Sequence, residues 1–233
     1  MSRSLRKLLP SLVTFTALVC AFAAMVMQLH EEVTAAGICI LIGYVLDALD
    51  GEMARRLGVA SAFGLQLDSL VDVATFGVAP SLLVYQHLWH LATVPVVTWV
   101  VCVGYLIGGV LRLARFNLLP AKRSHSDSVG LTISTSGATL TLSVLANRAF
   151  DHRLIPAHVF PALVVVLTLL MVSRIRYPAL ASIVQRRWLI LTGLGSAAVL
   201  AVWVSPRLAG FGLVGGYVSF GLVRAGYELI RKA

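Results

Sequence analysis

The sequence predicts an all-α fold: a polytopic transmembrane helical bundle of about eight spans, forming a single integral-membrane domain over residues 1–233. Three observations predict it. Hydrophobic residues make up 58% of the chain and charged residues 12%, where soluble domains run at roughly 45–50% and 25%. The mean hydropathy is +0.89. The apolar residues are gathered into blocks long enough to cross a bilayer, which takes about 20 residues per helix. This composition excludes a disordered chain or a collagen-like repeat and argues against a soluble globular domain.

In chain order the predicted spans are 8–28, 34–50, 64–86, 91–111, 130–149, 157–173, 188–204 and 208–225. The first follows a basic stretch and resembles a signal peptide, with Ala21-Phe22-Ala23 as a nominal cleavage site. Its apolar run is a full span long and further spans follow, so a retained helix is expected. Ser4 to Leu9 would lie along the interface before Pro10 turns the chain inward. The polar chain is concentrated in three loops, about 51–63, 112–129 and 174–187, which end up on one side of the membrane.

The 19 Lys and Arg residues against 10 Asp and Glu give a net charge of +9. A basic chain can bind nucleic acid, but position decides otherwise. With the N-terminus inside, 16 of the 19 basic residues fall on the cytoplasmic side and only Arg148, Arg153 and Arg207 outside. That is the positive-inside pattern. It predicts both termini in the cytoplasm, no nucleic-acid partner, and a cytoplasmic functional face of a multi-pass cell-membrane protein, suited to anionic lipid or an anionic substrate.

Cys20, Cys39 and Cys102 fall inside predicted spans without metal or redox spacing. They read as small apolar residues. The six histidines show no ligand spacing and read as interface or loop residues. Gly104-x-x-x-Gly108 and Gly212-x-x-x-Gly216 have the spacing of close helix contacts, within the chain or, less favoured, between chains. The span 130–149 carries seven hydroxyl residues between Thr132 and Ser143, which predicts a helix facing a polar cavity.

Chemistry is expected where acids meet the membrane. Asp47 and Asp50 are three apart, and Asp68 and Asp72 four apart, so each pair shares one helix face. A short loop joins their helices, which allows the two acidic faces to meet. Ionised carboxylates in a bilayer are costly unless paired or solvated, and four together repel. Oxygen-only ligands select hard cations such as Mg²⁺, Mn²⁺ or Ca²⁺. Two divalent metals are the economical expectation, and two-metal sites handle phosphate transfer. Gly51 and Gly64 let backbone approach a ligand, and Arg55 offers a forked donor for phosphate.

The pattern Asp47-x2-Asp50-Gly51-x2-Ala54-Arg55-x8-Gly64-x3-Asp68-x3-Asp72 resembles the signature of the CDP-alcohol phosphatidyltransferases at all eight fixed positions. The resemblance implies a six-helix catalytic core over about residues 8–180, with additional C-terminal spans over about 188–225. It implies an enzyme that displaces CMP from a CDP-linked lipid. Asp47, Asp50, Asp68 and Asp72 would hold two ions, Mg²⁺ or Mn²⁺, and Asp72 would also be the catalytic base. Asp47, Asp50, Gly51, Ala54, Arg55, Gly64 and Asp68 would bind the CDP moiety. A homodimer is implied by the resemblance alone.

Residues 66–80, Leu111-Arg112-Leu113-Ala114-Arg115-Phe116-Asn117 and 170–178 are similar to the phosphatidylserine-synthase branch of that family. So is the opening Leu9-Pro10 with Thr14, although Ser11 stands where that branch usually has Asn. The partners implied are CDP-diacylglycerol, L-serine and the lipid bilayer, with Arg112, Arg115 and Asn117 as candidate contacts to phosphate or serine. Another acceptor, such as glycerol 3-phosphate or an inositol phosphate, or an archaeal-type lipid donor, is the same-class alternative. A transporter with intramembrane carboxylates is the different-class one, and it would explain neither the glycines nor the arginine. One departure stands out: Gly130-Leu131-Thr132 has Thr where the family usually has Pro at the start of the fifth helix.

Overall fold

The computed structural model describes residues 3–59, 61–91, 94–118, 128–149 and 155–177. Seven α-helical segments lie within them: α1 (Arg3–Leu29), α2 (Val33–Arg56), α3 (Ala62–Asp72), α4 (Ala79–His90), α5 (Pro95–Asn117), α6 (Ile133–Ala149) and α7 (Phe160–Val172). A π-helical segment, Val73–Val78, joins α3 to α4, so the two form one continuous helix. A two-residue antiparallel bridge pairs β1 (Ser128–Val129) with β2 (Arg176–Tyr177).

Among the described residues, four helices are long and apolar enough to cross a membrane: Leu8–Leu29, Val33–Arg56, Ala62–His90 and Pro95–Asn117. The first four expected spans are therefore present and longer than their apolar runs. Arg55, Arg112 and Asn117 extend the helices beyond those runs, because an α-helix satisfies its own backbone wherever the side chains find polar surroundings. The fifth and sixth expected spans correspond to α6 and the shorter apolar α7. The spans expected at 188–204 and 208–225 lie outside the described residues, so a total of about eight is not established. Many of the basic residues that set the expected orientation lie outside them too.

Leu, Ile, Val and aromatic side chains cover the outer faces, including Phe22, Val45, Trp99 and Leu169. In a bilayer these faces meet lipid rather than water. Inside, Ile40, Phe76, Leu83, Tyr105, Leu140 and Leu167 are fully enclosed and join the helices into one core. Glycines set several crossings. A Cβ on Gly137 would come within 2.9 Å of the Phe76 carbonyl oxygen, so α6 lies directly on the π segment. Gly108 meets Thr168 of α7, whereas nothing among the described residues approaches Gly104 within 4 Å, so within them the second glycine of that pair is the one that serves packing.

The π segment has a local cause and a local consequence. Pro80 has no N–H to give the Phe76 carbonyl in the α-helical pattern. The Tyr105 hydroxyl on α5 donates to that carbonyl instead, at 2.9 Å. The Ala79 N–H reaches back five residues to Ala74 O, as a π turn requires. The wider turn rotates α4 relative to α3. Asp68 and Asp72 thus face one compartment, while Leu83 and Leu88 face the core.

His87 corrects the expectation that the histidines are interface or loop residues. It is 1% exposed, lies 3.0 Å from the Asn147 side-chain nitrogen and stands against the Phe160 ring. Asn147 in turn binds both backbone groups of Ile155, tying the end of α6 to the start of the next connection.

Candidate active site

Three helix ends and one helix body meet on one side of the bundle: the last turns of α2 and α5, the first turn of α6 and the body of α3. They enclose a cavity of about 310 Å³. Its signature wall carries Asp47, Asp50 and Gly51 from α2 with Asp68 and Asp72 from α3. Arg112 of α5 and the hydroxyl residues Thr132, Ser134 and Thr135 of the α6 start complete it. The spacing argument is thus realised in space. Helices α2 and α3 follow one another in the chain, and their acidic faces converge.

One carboxylate oxygen from each of Asp47, Asp50 and Asp68 lies within 4.8 Å of the others. Carboxylate oxygens this close repel unless a cation stands between them. A donor set made only of hard oxygens fits a divalent ion. Asp72 is hydrogen-bonded to Asp47, and Ser134 also donates to Asp47. Asp50 is 4% exposed and Asp72 8%, so both are shielded from bulk water on most sides. Arg112, 7% exposed, attracts Asp47 and Asp72, and its guanidinium lies over the Phe116 ring, 5.4 Å from the centroid.

The remaining candidate residues separate by position. Arg55 reaches the cavity edge while its guanidinium is paired with Glu52 at 2.8 Å. Glu52 also holds Arg56, at 2.6 Å. These pairs are exposed and exchange partners at little cost. Among the described residues, nothing but Arg55 comes within 4 Å of where a Gly51 side chain would be, which leaves that backbone open to a ligand. Gly64 and Ala54 do not line the cavity. The Gly64 N–H is taken by Ser61 Oγ at 3.1 Å, which caps the N-terminus of α3.

Arg115 and Asn117, grouped with Arg112 as candidate ligand contacts, are engaged with the protein itself. Asn117 Nδ2 donates to Ser69 Oγ at 3.0 Å, linking α5 to α3. Arg115 donates to the Val172 and Ser173 carbonyls at 2.9 and 3.2 Å.

The hydroxyl-rich helix is only partly the polar cavity wall expected of it. Its first turn lines the cavity. Thr139, Thr141 and Ser143 are buried and bond to carbonyls four residues back in their own helix. Thr132 occupies the N-cap position of α6 and accepts from the Thr135 N–H at 3.2 Å. This accounts physically for threonine at the position where the family usually has proline: the hydroxyl itself starts the helix.

The sequence matches the CDP-alcohol phosphatidyltransferase family profile over residues 7–172. The chain belongs to that family. It is 33% identical over 188 residues to the CDP-diacylglycerol–serine O-phosphatidyltransferase of Helicobacter pylori (strain ATCC 700392 / 26695), covering 79% of this chain and 77% of the relative. It is 32% identical to the enzyme of that name from Bacillus subtilis (strain 168) over 174 residues, 73% of this chain and 89% of the relative. The Methanocaldococcus jannaschii protein of that name is 36% identical over 141 residues, 60% of this chain and 61% of the relative.

The protein is thus a membrane-embedded CDP-alcohol phosphatidyltransferase, with an acidic cluster suited to a metal ion. Thr14, a point of resemblance to the phosphatidylserine-synthase branch, has a partner in the acidic cluster. Its hydroxyl meets Asp50 at 2.6 Å, a contact between residues 36 apart that no spacing rule reveals.

Proposed function

We propose that this enzyme transfers the phosphatidyl group of CDP-diacylglycerol to the hydroxyl of L-serine, giving phosphatidylserine and CMP. The observation that carries the reading is the convergence of Asp47, Asp50, Asp68 and Asp72 on one cavity that also holds Arg112. The names of the relatives support serine as acceptor.

Asp47, Asp50, Asp68 and Asp72 would hold two divalent ions, Mg²⁺ or Mn²⁺. Such ions, when bound, supply positive charge to the pyrophosphate and to the departing CMP. Gly51 leaves backbone open to the CDP moiety, and Arg55 would exchange its exposed Glu52 partner for a phosphate. Ala54 and Gly64, set back from the cavity, would shape the CDP-binding turn rather than touch the ligand.

Asp72 takes the proton from the serine hydroxyl as that oxygen attacks the lipid-linked phosphorus. One O–P bond forms, the bond from that phosphorus to the CMP oxygen breaks, and CMP leaves with the bonding pair. Arg112 offers its charge to phosphate or to the serine carboxylate. Arg115 and Asn117 would support this end of α5. The acyl chains would lie against the apolar outer helix faces in the cytoplasmic leaflet, with the site and both termini on the cytoplasmic side of the cell membrane and two chains forming a homodimer.

The test is incubation of the purified protein in bilayers with CDP-diacylglycerol, Mg²⁺ or Mn²⁺, and labelled serine. Labelled phospholipid and stoichiometric CMP are expected. Acceptance of glycerol 3-phosphate with no product from serine would overturn the serine assignment.

A further inference from the structure

The signature wall and the α6 wall of the cavity have different supports. The signature wall sits on two long helices. The α6 wall is the first turn of a helix whose preceding residues form a knot. Gly130 N–H donates to Ile175 O at 2.7 Å, and Leu131 N–H to Leu170 O at 3.0 Å. Val129 pairs with Arg176 in the two-strand bridge. Gly130 has φ +79, and a Cβ there would collide with Met171 O and come 3.1 Å from Ser173 O. The position therefore demands glycine on two counts.

Arg115 closes this knot. Its Nη1 reaches Val172 O at 2.9 Å, and its Nη2 reaches Ser173 O at 3.2 Å and stands 3.5 Å from Val129 O. Two of these carbonyls belong to the C-terminal end of α7, where a helix leaves its last acceptors without intrahelical donors. The guanidinium fork thus gathers the end of α7 and the strand before α6 onto α5. A lysine ammonium has no planar fork and would not span all three.

The chemistry says which substrate this wall serves. In-line transfer puts the attacking and leaving oxygens on opposite sides of phosphorus. With CMP leaving at the Gly51 and Arg55 end of the cavity, the attacking alcohol stands at the other end, by Thr132, Ser134 and Thr135, on the side of Asp72, whose partner Asp47 also accepts from Ser134. We propose that Arg115 is a positioning residue for the acceptor alcohol: it fixes the first turn of α6 through the Val129–Gly130 knot and touches neither substrate. The proposal rests on the reading of Gly51 and Arg55 as the CDP side given above.

The test is a double-mutant cycle with Arg115→Lys and Gly130→Ala in bilayer-reconstituted protein, measuring KM for each substrate. Each single variant is expected to raise the KM for serine about tenfold while the KM for CDP-diacylglycerol stays within about twofold. The double variant is expected to be no worse than the poorer single, because both break one device. Multiplying effects, or a parallel rise in both KM values, would overturn the proposal and point to direct contact by Arg115. A second readout needs no turnover. Hydrogen exchange at the Gly130 and Leu131 amides is expected to quicken in Arg115→Lys, and unchanged protection overturns the proposal even if Gly130→Ala fails to fold. If wild type rejects serine and accepts another alcohol, the serine assignment fails by itself. The same KM comparison with that alcohol then decides the role of Arg115.

Discussion

Thr14 on α1 donates its hydroxyl to Asp50 Oδ2 on α2 across 2.6 Å. The hydroxyl has one proton and a second acceptor, the Pro10 carbonyl at 3.0 Å. The charged, shorter contact is the stronger of the two. It holds one carboxylate oxygen and so fixes the direction of the other. Partners of this kind typically change metal affinity by 10–100-fold when removed. Thr14→Val is therefore expected to weaken Mn²⁺ binding by about tenfold or more, with Thr14→Ser recovering most of it. Mn²⁺ titration followed by electron paramagnetic resonance checks this. Equal affinities in Thr14→Val and wild type would remove Thr14 from the site.

Asp72→Asn tests the proposed base. Asparagine keeps the size and loses the ability to take a proton. General-base removal typically costs 10²–10⁴-fold, so CMP release is expected to fall by at least about 100-fold at saturating metal. Because Asp72 also stands in the proposed metal set, the decisive measurement is kcat at a metal concentration raised until it has no further effect. Recovery of wild-type CMP release under those conditions would make Asp72 a ligand only.

Removal of divalent metal by chelation is expected to abolish CMP release, and Mg²⁺ or Mn²⁺ to restore it. The close approach of oxygens from Asp47, Asp50 and Asp68 also predicts a thermal response: without a cation between them the carboxylates repel. The melting temperature in detergent should rise on adding Mn²⁺, and rise less in Asp68→Asn. An unshifted wild-type melting curve at millimolar Mn²⁺ would argue against metal binding by this triad.

How far these features were legible differs by residue. The four aspartates could be placed because helical periodicity is local: three or four residues apart means one face, and a short loop makes two helices neighbours. Thr14, Ser61 and Arg115 could not. Each acts through a contact set by the tertiary fold, and arginine near the inner end of a span looks the same whether it anchors, binds phosphate or ties carbonyls. The hydroxyl run on α6 shows the same limit. Composition identified a polar helix, but which hydroxyls face the cavity depends on where the helix starts, and that is set by Gly130 and the Thr132 cap. His87 was missed because a lone histidine in an apolar run gives no sign of a buried asparagine 60 residues away.

Tyr105→Phe tests whether the π segment is held from outside its own helix. The tyrosine hydroxyl is the donor that Pro80 cannot supply to Phe76 O, and both Tyr105 and Phe76 are fully enclosed. Deleting it leaves a buried carbonyl short of that donor, which costs about 1–3 kcal/mol. A melting temperature several degrees below wild type is expected. The functional consequence should be smaller than the stability loss. The Tyr44 ring, which lines the cavity, meets the Phe76 ring edge-on at 6.0 Å, while Asp68 and Asp72 precede the π segment on α3. Well below the melting transition, Tyr105→Phe should keep kcat within about threefold of wild type, since the acidic cluster does not depend on that hydroxyl. A large loss of kcat with an unchanged melting temperature would mean that Tyr105 sets the orientation of α3, not the stability of the turn that follows it.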